Sequence, residues 1–170
     1  MDSKPIPYNV DFLGGEDNVY FFFTRFKVGY AIKFRPSFYV LEAESAIADN
    51  VYELVITRIE KPDGPIPPDE RILATIAVIA EDFFKKEGNI GIYVCDDRDG
   101  KGSARKRKFD GWFTYLNAVG RGFSKFDQYF VEPDGFGYMA SVVFRGDNPL
   151  KIQIYTAFEE LVEKYNRPKQ

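Results

Sequence analysis

The chain has no histidine and a single cysteine, Cys95. Without histidine it cannot build Ser-His-Asp or Cys-His catalytic sets or His-based metal centres. One thiol excludes a cysteine-zinc cluster and any disulfide framework within the chain. No apolar stretch approaches the roughly 20 residues that span a bilayer. Met1-Asp2-Ser3-Lys4-Pro5 has no apolar run behind it, so no signal peptide is expected. A lone cysteine and no export signal predict a cytoplasmic protein. The net charge is only −3 and the pI about 5.2, so no global attraction to nucleic acid or anionic membrane is expected. There is no internal repeat and no low-complexity tract.

What is present suits one domain spanning residues 1–170. A chain of this size hides about 70% of its surface on folding, enough for a core without staples. Apolar residues make up 45% and charged residues 29%, an ordinary soluble balance. Aromatics reach 17%, a load that favours strands and leaves rings over for an interface.

Residues 8–13 read as a short strand stopped by Gly14-Gly15. Residues 19–24 are β-branched and aromatic and predict a strand, with 28–35 as its hairpin partner. Tyr20-Phe21-Phe22-Phe23 is apolar on both faces, which fits a central strand or one that faces a second copy of the chain. Residues 36–50 give no clear pattern beyond a short helix over 41–48, and 51–60 is another strand. The proline-rich stretch 61–68 reads as a crossover inside one domain. A helix over 69–87 follows, with Ile72, Ile76, Ile79 and Phe83 on one stripe. Then come a strand over 90–95, a helix over about 102–117, and a hairpin of 126–132 with 138–145. A last helix begins at Asn148 as N-cap with Pro149 at its first position. Hairpins dominate, so the expected fold is α+β: a mostly antiparallel twisted sheet of six to seven strands with three main helices packed on it.

One segment departs from the acidic average. Between residues 98 and 108 stand six basic residues and one acid, a local +5 that leaves −8 for the rest. The segment lies where a strand hands over to a helix, and free N–H groups and the positive end of the helix dipole favour an anion there. Gly100 and Gly102 would let the backbone come close to a phosphate. Arg98, Lys101, Gly102, Ser103 and Arg105 are therefore the candidate anion-binding residues, for a phosphate, a carboxylate or a nucleotide. A helical wheel puts Arg105 on the apolar stripe, Arg107 toward solvent, and Lys106 and Lys108 at the borders. The bland alternative is that Arg105 braces the loop by pairing with Asp96, Asp97 or Asp99, the remaining charges being a solvated face. Gly-Lys-Gly-Ser lacks the upstream glycine of a Walker A loop. The Asp-rich stretch is no EF-hand either, because the twelfth position from Asp97 is Lys108 rather than a bidentate Glu. Cys95 reads as a small buried residue at a strand end, and Trp112 as core.

The stretch Val94-Cys95-Asp96-Asp97-Arg98-Asp99-Gly100, with Arg105 and Phe109-Asp110-Gly111-Trp112-Phe113 beyond it, resembles a family of small uncharacterised bacterial proteins. Arg145-Gly146-Asp147-Asn148-Pro149-Leu150 fits the same resemblance, which covers most of the chain beyond about Val19. It implies no reaction, ligand or catalytic residue. The sequence leaves three readings of function. The first is a non-enzymatic binding module with no cofactor and an anion site at 98–108. The second is a metal-assisted phosphoryl-transfer or nucleic-acid enzyme, in which Asp96, Asp97 and Asp99 hold Mg²⁺ and Lys101 and Arg105 neutralise phosphate. The third is an interaction protein that forms a homodimer through the aromatic strand 19–24.

Overall fold

In strand β3 (Gly29–Pro36) the apolar Tyr30, Ile32 and Phe34 recur at every second position, and in β2 (Val19–Phe23), apolar throughout, Tyr20 and Phe22 are the buried pair, so one face of each goes inward. Thr24 turns the chain between them. Its N–H donates to the Val28 carbonyl at 2.9 Å, and its hydroxyl accepts the Val28 N–H at 3.2 Å. The computed structural model describes residues 3–37, 45–96, 98–118, 122–131 and 134–166. Its other elements are β1 (Asp11–Gly14), α1 (Ser45–Ala48), β4 (Val51–Glu60), α2 (Arg71–Phe83), β5 (Ile90–Asp96), α3 (Gly102–Ala118), β6 (Phe123–Val131), β7 (Gly137–Arg145) and α4 (Lys151–Asn166). The expected helix over 41–48 is present at 45–48, and its first part lies outside the described residues.

The strands form one seven-stranded sheet in the order β1-β2-β3-β4-β5-β7-β6. Every neighbouring pair is antiparallel except β4–β5. Those two are parallel because residues 61–70 and α2 carry the chain back to the starting end. The result is the expected α+β architecture, a mostly antiparallel sheet with three main helices. Among the described residues no helix is long and apolar enough to cross a membrane.

Helices pack on both faces of the sheet. On one, α2 and α3 bury Phe22, Ile32, Phe34, Ile79, Phe83 and Phe109. Phe34 stacks on Phe83 with ring centroids 3.7 Å apart and planes 6° from parallel. Gly91 makes room for this layer, since a Cβ there would stand 3.3 Å from the Phe84 ring. On the other face, α4 buries Ile154 and Phe158 against Ile90, Ile92, Val142 and Phe144. Each such side chain contributes about 1.5–3 kcal/mol on burial.

Several boundaries differ from the sequence reading, for identifiable reasons. β1 starts at Asp11 rather than at residue 8, because the Tyr8 N–H donates to Thr75 Oγ1 on α2 at 2.9 Å and draws the chain off the sheet. α2 ends at Phe83, not 87. The Asn89 side chain donates to the Phe83 carbonyl at 2.8 Å and takes the place of a further helical turn. β6 begins three residues early, at Phe123, because its ladder with β7 runs on to the Phe123–Arg145 pair. β2 is flanked by β1 and β3, so its main chain is paired on both sides. Only the side-chain face with Phe23, 50% exposed, is open to a second copy.

Candidate functional site

The start of α3 brings part of the predicted anion set together. Asp99 is at its centre. Its Oδ1 accepts the Lys101 N–H at 3.0 Å and Arg105 Nη1 at 2.8 Å, and its Oδ2 pairs with Arg105 Nη2. The Arg105 guanidinium, helped by the Lys101 N–H, holds the Asp99 carboxyl down to about 2. The position where an incoming anion would gain most is thus occupied by the chain's own carboxylate. Gly102 is buried as the first helical residue, Ser103 is exposed on the helix, and Arg98 is exposed in the preceding turn. Asp96 ends β5, and Asp97 lies outside the described residues. Among the described residues no group of three or more Cys, Asp or Glu could hold a metal ion.

The helical wheel needs one correction. Lys106, not Arg105, is the inward cation of α3: its side chain is 16% exposed against 40% for Arg105. Lys106 Nζ lies 2.6 Å from Asp110 and 3.0 Å from Asp127 on β6. Lys125 Nζ lies 3.0 Å from Asp110 and 2.9 Å from Asp127. The buried Ser141 on β7 donates to Asp127 at 2.7 Å. Burial pushes the Asp127 carboxyl up, but the bonds from Ser141, Lys125 and Lys106 outweigh it and carry it below its ordinary value. This closed set of two lysines and two aspartates fastens α3 to β6 and β7. Beside it, burial pushes the Cys95 thiol up, which leaves it a poor nucleophile. Trp112 is half-buried, edge-on to Tyr93 and Phe109.

A second place, missed in the sequence, lies under α4. A cavity of about 340 Å³ sits between this helix and the sheet. Small-molecule pockets span about 300–1,000 Å³. β5 lines it with Ile92 and Val94, β7 with Tyr138, Ala140 and Val142, and β6 with Gln128 and Phe130. α4 closes it with Phe158, Leu161 and Tyr165, and Glu53 of β4 and Ser37 stand at its border. Its volume traces to residue choice. Ala140 and Gln128 are cross-strand partners on the inward face, where Phe126, Phe130, Val142 and Phe144 set the pattern of bulk. A small residue opposite a polar one leaves space and a hydrogen-bonding group in an otherwise apolar layer.

The β4–β5 ladder contributes as well. It consists of Val51 with Ile90, Tyr52 with Gly91, and Glu53 with Ile92. β4 then continues to Glu60 and β5 to Asp96. The Val51 carbonyl accepts from Ser37 N on the β3 side at 2.8 Å, and the Asn50 carbonyl accepts from Ile90 N on the β5 side at 2.9 Å. Alternation therefore aims the main-chain groups of Leu54 and Ile56 toward β5, and those of Val94 toward β4, beyond the last ladder pair. The cavity lies beside this opening, at the carboxyl side of two parallel strands, where open sheets commonly bind ligands. A larger hollow of about 510 Å³, near Glu81, Lys85 and Arg145, is a weaker candidate. Its Arg145 is engaged with Asp147 at 2.6 Å, and Asp147 is 63% exposed.

Comparison with known proteins places the chain in one family. A family model, Family of unknown function (DUF6169), matches residues 68–160, more than half of its length. The chain belongs to this family. The matched region of DUF6169 runs from the start of α2 into α4, and so includes the α3 start, both strands of the β6–β7 hairpin and most of the cavity lining. Ser37, Glu53, Leu161 and Tyr165 stand outside it. No curated protein matches the chain. One solved structure, described as a CoA-dependent acyl-homoserine lactone synthase, MesI, is similar at 16% identity and a TM-score of 0.36, covering 99% of this chain and 78% of that one. A likeness this faint carries no argument about function.

Proposed function

We propose that the protein is a binding module that holds a small, largely apolar molecule in the cavity between α4 and strands β4, β5, β6 and β7. The observation that supports this reading is the combination of an apolar 340 Å³ space with few polar groups at its border, Ser37, Glu53 and Gln128. The main-chain groups of Leu54, Ile56 and Val94 add donors and acceptors at the β4–β5 opening. A single buried thiol suits a reducing compartment, so the proposal includes the cytoplasm. The anion reading of Arg98, Lys101, Gly102, Ser103 and Arg105 becomes the subordinate one, because a phosphate would have to displace Asp99 from Arg105.

The test is a thermal-shift screen of small molecules, with methyl NMR to locate each hit. Binders should move the methyl signals of Val94, Ala140 and Leu161. Ala140→Leu should take up part of the cavity, stay folded and lose the response, since side-chain carbons added where space exists do not overpack the core. Hits that perturb other methyl groups, or that still bind to Ala140→Leu, would refute the site.

A further inference from the structure

Resting on that cavity reading, we infer that the ligand carries a cationic head, an organic ammonium or amidinium, that meets Glu53 while its apolar body enters under α4. Among the described residues lining the cavity, Glu53 is the one that is charged. It is half-buried on β4, and among the described residues its carboxylate has no hydrogen bond or ion pair. Arg35 stands directly opposite on β3, on the same face, yet is exposed and makes no ion pair with it. A carboxylate at the mouth of an apolar space favours a ligand of opposite charge and disfavours an anion, which would be repelled as it loses water.

The aromatic lining agrees with this charge. Phe130, Tyr138 and Tyr165 form one cluster, with Phe130 stacked on Tyr138 at 5.1 Å and edge-on to Tyr165 at 5.2 Å. Ring faces attract an organic cation as well as an apolar body, so carboxylate and rings select the same chemistry. An inorganic cation is not favoured, since the lining offers it one carboxylate and mostly carbon.

Three matched probes separate this inference from the cavity reading: phenethylammonium, phenethyl alcohol and hydrocinnamate. Affinities would be read by methyl NMR titration of Val94, Ala140 and Leu161. Phenethylammonium should bind about tenfold more tightly than the alcohol, with hydrocinnamate weakest. Glu53→Gln should bring the ammonium and the alcohol to similar affinity. Arg35→Gln, by removing the competing cation, should tighten the ammonium only. If the alcohol binds the wild type as well as the ammonium does, the charge inference is overturned and the cavity stands. If none of the three moves those methyl signals, both fall. If Glu53→Gln leaves the ammonium preference intact, another group supplies it and the role of Glu53 is refuted.

Discussion

Replacing Asp127 by alanine should cost this protein about 2 kcal/mol of stability, and the figure follows from what the carboxylate holds. It accepts from Lys106 at 3.0 Å, from Lys125 at 2.9 Å and from the fully buried Ser141 hydroxyl at 2.7 Å. Breaking a buried ion pair costs about 3–5 kcal/mol because the partner charge is stranded. Here two features reduce that. Asp127 keeps 32% of its side chain exposed, and Asp110 still reaches both lysines at 2.6 and 3.0 Å. The Ser141 hydroxyl has no such substitute. Asp127→Asn retains an acceptor for it and should cost only about 1 kcal/mol. Urea unfolding measures both, as midpoint shifts at constant slope.

The pH dependence provides a second reading of the same residue. The folded carboxyl of Asp127 lies below its unfolded value, which is about 3.9. Its charge therefore stabilises the fold fully above that unfolded value, and the contribution is lost as pH falls through the folded one. The gap between wild type and Asp127→Asn should be full at neutral pH and close in acid. A deficit for Asp127→Ala below about 0.5 kcal/mol, or a gap to Asp127→Asn that does not change on acidification, would refute the argument that this carboxylate fastens α3.

Other substitutions test the remaining parts. The outer edge of β6 is covered at both ends by side-chain amides: Asn117 accepts the Phe123 N–H at 3.0 Å, and Asn166 accepts the Val131 N–H at 3.3 Å and donates to the Tyr129 carbonyl at 3.2 Å. Converting both to alanine should lower stability by about 1–2 kcal/mol and promote edge-to-edge association. Light scattering that shows an unchanged monomer at rising concentration would count against this. Arg105→Ala should leave the urea midpoint nearly unchanged, because its pair with Asp99 is solvent-exposed. Inorganic phosphate should not raise the melting temperature of the wild type; a rise that disappears in Arg105→Ala would restore the anion site at the α3 start.

Most of the architecture was legible because alternation and turn residues are local signals. The reading of 51–60 coincides with β4, and the inward Ile32 and Phe34 of β3 follow from its period of two. The errors arise where a distant residue competes for a backbone group, as Thr75 does for the Tyr8 N–H and Asn89 for the Phe83 carbonyl. Helix α3 shows a different failure. Its inward face carries Lys106, so an apolar stripe assigned from residue type chose Arg105 in its place. A charged side chain can face a sheet when the sheet supplies opposite charge, and Lys125 and Asp127 are in another element, out of reach of any local pattern.

The cavity was harder to read for a related reason. Charge density drew attention to residues 98–108, yet a run of like charge next to its own aspartate tends to neutralise itself, as Asp99 and Arg105 do. The informative signal was weaker and inverse: residues that do not fit an inward position. Glu53 follows Val51 at the next inward position of its strand, and Gln128 falls between Phe126 and Phe130. Ala140 stands opposite Gln128, two residues before the fully buried Val142. Each is ordinary alone. Gln128 and Ala140 form one rung and Glu53 is level with the next, so together they remove volume and add polarity on one face of the sheet, something that only strand order can reveal. If the cavity had no role, larger apolar residues at 128 and 140 would gain about 0.8 kcal/mol for each methylene they bury there. Ala140→Leu therefore distinguishes a void left by chance, which it would stabilise at no loss, from a site in which that stability is forgone for binding.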